Sequence, residues 1–519
     1  MSAIDRRQFV QTSLLAGAGA VLTTRLAFAA APTDTRFVLI ILRGALDGLS
    51  AVPPIGDPAY AALRGQIAIA ASGDGAALPL DAPFGLHPSL LFLHESYRAK
   101  ELTVVHAVAT PYRERSHFDA QDVLENGGLR PHGAATGWLN RALGAMPGAG
   151  RAAGAAREAG VALGANVPLV MRGPAEVASW SPTRLAALDD DTLARITDLY
   201  ATDPLLSRRL ADALASDAIA QEAQRAVKSE AEGMAPVMAP ISRDGAAAAN
   251  AADTAAERRN LGARYGDTVK AAAGFLSRAD GPRVAVFDTT GWDTHANQGG
   301  AQGQLAYRLG ALDAGLRTFR NALGPAWRQT VVMVVTEFGR TAAINGTRGT
   351  DHGTGAAAFL LGGAVAGGRV LADWPGLSSG ALYEGRDLRP TLDLRSVAKS
   401  VLRDHLDLSP RALDTLVFPD STAVPYLDGL VRASARWRPP PPPPGAVFAL
   451  RLSRCARRYA ASLSKSAPRP GTRHRTRRRR SSRRRTSRRS RPRNPPARMR
   501  SRTASRRRSP SATLPPPPA

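Results

Sequence analysis

The stretch GWDTHANQGG carries Asp293 and His295 two residues apart. In an extended chain such a pair points to one side, so a carboxylate and an imidazole can reach the same cation. A loop of satisfied surface charges would read the same way. Three more polar clusters accompany it. TEFGRTAAINGTRGTDHGTG (336–355) sets Glu337, Arg340, Arg348, Asp351 and His352 among glycines. PYRERSHFDAQDVLENGG (111–128) puts Ser116 where a helix N-cap belongs, with Asp119 three residues on as in a capping box. A helix N-terminus also stabilises an alkoxide or a bound anion, so the same position suits a nucleophilic serine, with Arg113, Arg115 and His117 around it. Plain capping competes with that reading but leaves the surrounding charge unexplained. RFVLIILRGALDGLS delivers Arg43 and Asp47 directly after an apolar run, where Asp-Gly is also a common tight turn. Together the four clusters hold carboxylates, imidazoles, a hydroxyl and arginines, the inventory for metal-assisted transfer at an anionic ester.

The elements that must position these groups are legible around them. RFVLIIL (36–42), LTVVHAV (102–108), VPLVM (167–171), RVAVFD (283–288), TVVMVV (330–335) and AAFLLGG (357–363) are short continuous apolar runs. Segments 304–323 and 393–406 have helical periodicity. Non-alternating strands separated by amphipathic helices predict a doubly wound, mostly parallel α/β sheet covered on both faces. Ligands bind such sheets beyond the carboxyl ends of the strands, which is where all four clusters fall. Residues 204–275 are Ala-rich and predict a helical insertion of two or more helices, with a Pro and Met hinge near 234–241.

Charge separates the body from its ends. The formal charge of +26 comes from the tail: residues 439–519 hold 25 of the 69 Lys and Arg and none of the 43 acidic residues. The remainder is nearly neutral, so the basicity is no argument for a nucleic-acid partner. The expected organisation is a signal segment (1–29), an α/β domain (30–437) and a disordered Arg/Pro/Ser-rich tail (438–519) that cannot bury enough apolar surface to order itself. The tail text is of the kind a GC-rich gene yields in a shifted frame. At the other end, Arg6-Arg7 before Gln8-Phe9, an apolar run and Ala27-Phe28-Ala29 read as a twin-arginine export signal. That signal predicts a mature start near Ala30, the twin-arginine translocon as partner during export, and a periplasmic or secreted location. No later stretch has the roughly 20 apolar residues of a membrane span. The single cysteine, Cys455, lies in the tail, which leaves the body without disulfide or thiol chemistry. GLSSG (376–380) matches a nucleophile-elbow pattern at Ser378 but lacks the strand-turn-helix context, and GAGRAAG (148–154) lacks dinucleotide spacing.

With these clusters in hand, the chain resembles DUF1501, a bacterial family exported by the twin-arginine route. The matching stretches, in order, are LRGALDGLSAV, FGLHPSL, RSHFDAQDVLENG, GWDTHANQ, and TEFGRT with DHGTG, spanning about residues 1–430. That family is similar in pattern to the alkaline phosphatase and sulfatase superfamily, which implies a doubly wound sheet with a metal site at the strand ends. By position, Asp47 resembles that superfamily's first metal ligand and Ser116 its nucleophile. Asp293 and His295 resemble the middle ligand pair, Glu337 the strand-end carboxylate and His352 the final histidine. Where the superfamily often has Asp-His, this chain has Glu337-Phe338, which removes an imidazole and implies one metal, or one and a weak second.

The resemblance thus implies an exported metal-dependent hydrolase of phosphate or sulfate esters, acting on a small anionic ester or a cell-surface polymer. Arg43, Arg113, Arg115 or Arg340 would meet the anion. Imidazole with carboxylates favours Zn or Mn, and a mostly oxygen site would favour Ca or Mg. The alternative is a non-catalytic exported binding or assembly factor on the same fold.

Overall fold

Every residue of RFVLIIL is buried, and its side chains divide between two cores. Val38, Ile40 and Leu42 enter one; Phe37, Leu39 and Ile41 enter the other. A strand whose two faces are both apolar can only be stable inside a sheet covered on both sides. The computed structural model describes residues 34–147, 159–181, 190–231 and 265–432. The signal segment, GAGRAAG, the 234–241 hinge, Cys455 and the basic tail lie outside the described residues.

The strands are β1 (Arg36–Leu42), β2 (Leu78–Pro79), β3 (Gly85–Leu86), β4 (Leu102–Ala109), β5 (Gly160–Leu163), β6 (Val177–Trp180), β7 (Val284–Thr289), β8 (Thr330–Thr336), β9 (Ala356–Leu361), β10 (Arg369–Leu371) and β11 (Leu392–Asp393). Nine of them form one sheet in the order β10-β4-β9-β8-β1-β7-β5-β6, with β11 also paired to β4. β2 and β3 form a separate small ladder. The helices that matter below are α1 (Gly48–Ala51), α2 (Leu91–Arg98), α3 (His117–Asn126), α4 (Trp138–Ala145), α5 (Asp190–Tyr200), α6 (Pro204–Ala231), α7 (Gln304–Leu323) and α8 (Leu394–Leu406). One face of the sheet is covered by α2, α7 and helical residues 265–277, the other by α4 and α8. Within the Ala-rich stretch, α6 and residues 265–277 are helical as expected. None of the helices among the described residues is long and apolar enough to cross a membrane.

The sheet is mostly parallel, as expected, with one antiparallel strand. β1 pairs in parallel with β7 and β8, whereas β9 runs antiparallel to both β8 and β4. A parallel return from β8 would need a crossover, usually helical, and residues 337–355 form no helix, so the chain can only turn back. This reversal matters for position. The carboxyl ends of β1, β4, β7 and β8 share one edge, and the amino end of β9 joins them there with His352 just before it.

One local expectation is corrected. VPLVM is not a strand: Leu169–Met171 is a 3-10 turn behind Pro168, which has no N–H to give a ladder. The strands in that region are β5 and β6, short enough to hide in the sequence.

The stripe Leu305, Leu309, Leu312, Leu316, Phe319 and Leu323 repeats at helical spacing and is almost wholly buried, which is why α7 docks on the sheet. Leu316→Ala is expected to cost about 2–5 kcal/mol by leaving a cavity, measured as a fall in the urea midpoint. A change below ~0.5 kcal/mol would show that α7 does not hold the core.

Candidate metal centre

β4 ends at Ala109, and the chain crosses the sheet edge to start α3 at His117. Ser116 is the N-cap, in extended backbone, but its side chain makes no capping bond. The expected capping box is absent: the Asp119 carboxylate instead accepts a hydrogen bond from the Tyr112 hydroxyl at 3.2 Å. Freed from capping, this helix start presents His117 to the edge, stacked on buried Phe338 with ring centroids 4.9 Å apart.

Around Asp293 three imidazoles converge through the same atom. His295 Nε2 lies 3.0 Å and His352 Nε2 3.5 Å from Asp293 Oδ1, and His117 Nε2 lies 3.4 Å from Oδ2. His295 and His352 bring their Nε2 atoms within 3.0 Å of each other. The outer nitrogens explain the orientation. His117 Nδ1 faces Glu337 Oε1 at 2.8 Å, His295 Nδ1 faces Asp351 Oδ1 at 3.0 Å, and His352 Nδ1 faces the Arg115 carbonyl at 2.9 Å. Each of these partners is an acceptor, so a tautomer with the proton on Nδ1 is open to all three rings and would turn the Nε2 lone pairs inward.

In that tautomer the arrangement is unfavourable by itself, because the inward lone pairs of His295 and His352 lie 3.0 Å apart. His117 Nε2 is also buried with no hydrogen-bond partner among the described residues. A shared cation removes both penalties. Tetrahedral coordination at 2.0–2.1 Å would space ligand atoms roughly 3.3 Å apart, close to the separations here. His117, Asp293 and His352 form one group able to hold a metal ion among the described residues, and His295 adjoins it.

The charges around the site follow from these contacts. The hydrogen bond to Glu337 raises the pKa of His117 against the opposing effect of burial. Burial lowers that of His352, helped by His117 and Arg340. For Glu337, burial pushes upward but is outweighed by its donors, His117 first, so it stays ionised. Asp293 likewise stays below the usual carboxylate range, since burial is overcome by Arg340, whose Nη1 donates to it at 2.5 Å.

Several expected site residues sit elsewhere. Asp47 is not at the centre: it caps α1 through Leu49 N and Ser50 N, pairs with fully buried Arg64, and accepts from Gln298 Nε2 at 2.7 Å. Gln298 in turn accepts from the Thr294 and Thr350 hydroxyls, so Asp47 supports the site loops from below. Glu337 is not a direct ligand either. Its two oxygens are occupied by Gly44 N, His117, Gln121 and Thr336, placing it behind His117 as the group that orients the ring. The arginines are committed to protein partners: Arg43 to Asp288, Gln121 and Glu125, Arg113 to backbone carbonyls, Arg115 to Asp387 and Glu384, and Arg340 to Asp293 and Thr350. Ser378 lies in an exposed bend without a nucleophile elbow.

The glycines of 336–355 let this loop fold on itself. A Cβ on Gly339 would fall 1.8 Å from the Gly355 carbonyl oxygen, and one on Gly349 2.3 Å from that of His295. Asn345 ties the same loop down by donating to the His295 carbonyl at 2.9 Å and to Asp351 at 3.0 Å. His117, which the sequence places beside Ser116, joins the cluster as a candidate ligand that was not expected there. Its available signal was a histidine at the first helical position, directly beyond a core strand.

Equilibrium dialysis against Zn is expected to load about one ion per chain, and Glu337→Gln to weaken it roughly 10- to 100-fold by releasing the His117 ring. Equal affinity in the two proteins would remove Glu337 from any orienting role. Because protons compete with the metal for His117, whose pKa Glu337 raises, Zn affinity should fall as the pH is lowered, read in the same dialysis at stepped pH.

Residues 34–417 match the family described as "Protein of unknown function (DUF1501)". No curated protein and no solved structure matches the chain. The match spans every strand of the sheet and all of the convergent site, and the chain belongs to the DUF1501 family.

Proposed function

We propose that the chain is an exported metal-dependent hydrolase of phosphate or sulfate esters, on a fold of the alkaline phosphatase and sulfatase kind. The observation that carries this reading is the inward convergence of His117, His295 and His352 on Asp293, each ring oriented from behind by an acceptor. Nitrogen donors in this number favour Zn or Mn over Ca or Mg. A bound divalent ion would supply Lewis-acid stabilisation of an anionic ester oxygen.

The chain's own residues would do the rest. Ser116 stands next to His117 at the start of a helix, with a side chain not used for capping, and the first-turn N–H groups favour negative charge there. It is the candidate nucleophile. Arg340 is buried and reaches Asp293, so it contributes fixed positive charge beside the reacting anion. Phe338 packs against both His117 and His352 where a further imidazole would otherwise stand, which favours one metal over two. The Arg6-Arg7 segment supports export by the twin-arginine translocon to the periplasm or beyond.

One observation favours a second reading, a non-catalytic binding or assembly factor. Arg43, Arg113, Arg115 and Arg340 all engage protein acceptors, which leaves none of these four committed to a substrate anion.

The two readings separate in one experiment on the purified full chain. Metal content is measured, and hydrolysis of 4-nitrophenyl phosphate and sulfate is followed with and without Ser116→Ala. The hydrolase reading expects bound metal and a loss of roughly 10³-fold or more in kcat for the variant. A metal-free, inert protein would sink it, and metal with turnover indifferent to Ser116 would remove the nucleophile.

A further inference from the structure

One short segment, residues 383–387, holds His352 from two sides. The ring Nδ1 of His352 meets the Arg115 carbonyl at 2.9 Å, and the His352 carbonyl accepts from Arg386 Nη2 at 2.9 Å. Arg115 is in turn held by Asp387, whose Oδ2 accepts from its Nε at 2.8 Å and lies 2.8 Å from its Nη2. The segment therefore reaches both the ring and the backbone of one candidate ligand.

Arg115 needs such a hold. Its backbone sits at φ +62°, in the left-handed region that a residue with a Cβ adopts only where its surroundings impose it. That conformation fixes where its carbonyl points, and it comes one residue before Ser116, where α3 begins. Two carboxylates grip the guanidinium unequally. Asp387 is fully buried, whereas Glu384 is mostly exposed and its ion pair is worth little in water. The Tyr383 ring lies under the guanidinium at 6.0 Å. Burial pushes the Asp387 pKa up, and the guanidiniums of Arg115 and Arg386 oppose it. A buried ion pair adds little net stability over apolar packing, so what this one contributes is position. Asp387 is itself fixed. Its N–H and carbonyl pair with Tyr383 at 3.0 and 2.8 Å, and the Arg386 carbonyl accepts from Ala342 N at 3.1 Å. Ala342 belongs to the loop between Glu337 and His352, so the segment, Arg115 and the site loop form one connected frame.

We infer that Asp387 is a positioning residue of the metal centre. It locks Arg115 so that the Arg115 carbonyl holds the His352 ring with Nε2 toward Asp293 and the shared cation. The inference rests on the metal centre of the proposed hydrolase and not on its ester chemistry. Asp387 acts on the cation only through His352.

The test measures Zn affinity of the full chain by chelator competition, alongside the urea midpoint, for the parent, Asp387→Asn, His352→Ala and the double variant. Asp387→Asn keeps the shape of the side chain without its charge, and should weaken Zn about tenfold, the lower end of what groups behind metal ligands contribute. In the His352→Ala background the same change should leave Zn affinity within about twofold, because its only route to the cation is gone. Zn uptake that Asp387→Asn leaves unchanged overturns this inference alone. An equal loss with and without His352 also overturns it, since the effect would then be a general loosening. No Zn uptake by the parent overturns it together with the metal centre. Turnover does not enter the readout, so failure of the ester chemistry leaves the result intact. Should Asp387→Asn fail to fold, Arg115→Lys takes its place in the same cycle, keeping the charge but not the two-nitrogen grip on Asp387. An unchanged affinity, or a loss independent of His352, again overturns the inference.

Discussion

A single buried carboxylate, that of Glu337, ties the site to the sheet. It stands at the carboxyl end of β8 and accepts from Gly44 N at the end of β1, from His117 and Gln121 on α3, and from the neighbouring Thr336 hydroxyl. Thr336 Oγ1 also lies 2.7 Å from the Leu42 carbonyl. An ionised group so deeply buried is tolerable only when fully hydrogen-bonded, and this one is. Its demand for donors draws two strand ends and one helix start together, and the imidazole it captures becomes part of the candidate metal centre.

The same logic governs the layers below. Asp47 satisfies a helix start, a buried arginine and Gln298 at once, and Gln298 passes the connection to the threonines flanking His295 and His352. Arg115 donates its guanidinium to Asp387 and Glu384 while its carbonyl holds His352. Charged residues that read as substrate contacts are therefore largely supports. The groups left facing outward are those whose partners lie behind them: His117, His295, His352 and Asp293.

Much of this was legible in the sequence. The runs at β1, β4, β7, β8 and β9 showed themselves because strands buried on both faces have no polar alternation to confuse them. The clusters following them pointed to one edge. β5 and β6 are four residues each and carry little signal, and Pro168 turned an apolar run into a 3-10 turn. Asp293 and His295, two residues apart, lie side by side, and His352 from a separate loop meets them. Asp47 and Glu337 carry the same chemical type as a ligand, and nothing local to them reveals that their oxygens are already occupied.

What the sequence by itself determined is the set of strands, the edge at which the polar loops emerge, and the family motifs that populate them. These depend on periodicity and composition over a few residues. Only the tertiary structure decided which polar side chains line the centre and which stand behind it. His117 and Glu337 meet across 220 residues, and His295 and His352 across 57. A donor's role is set by which atom of a distant loop lies within hydrogen-bond reach, and that distance exists only once the sheet has brought the loops to one edge.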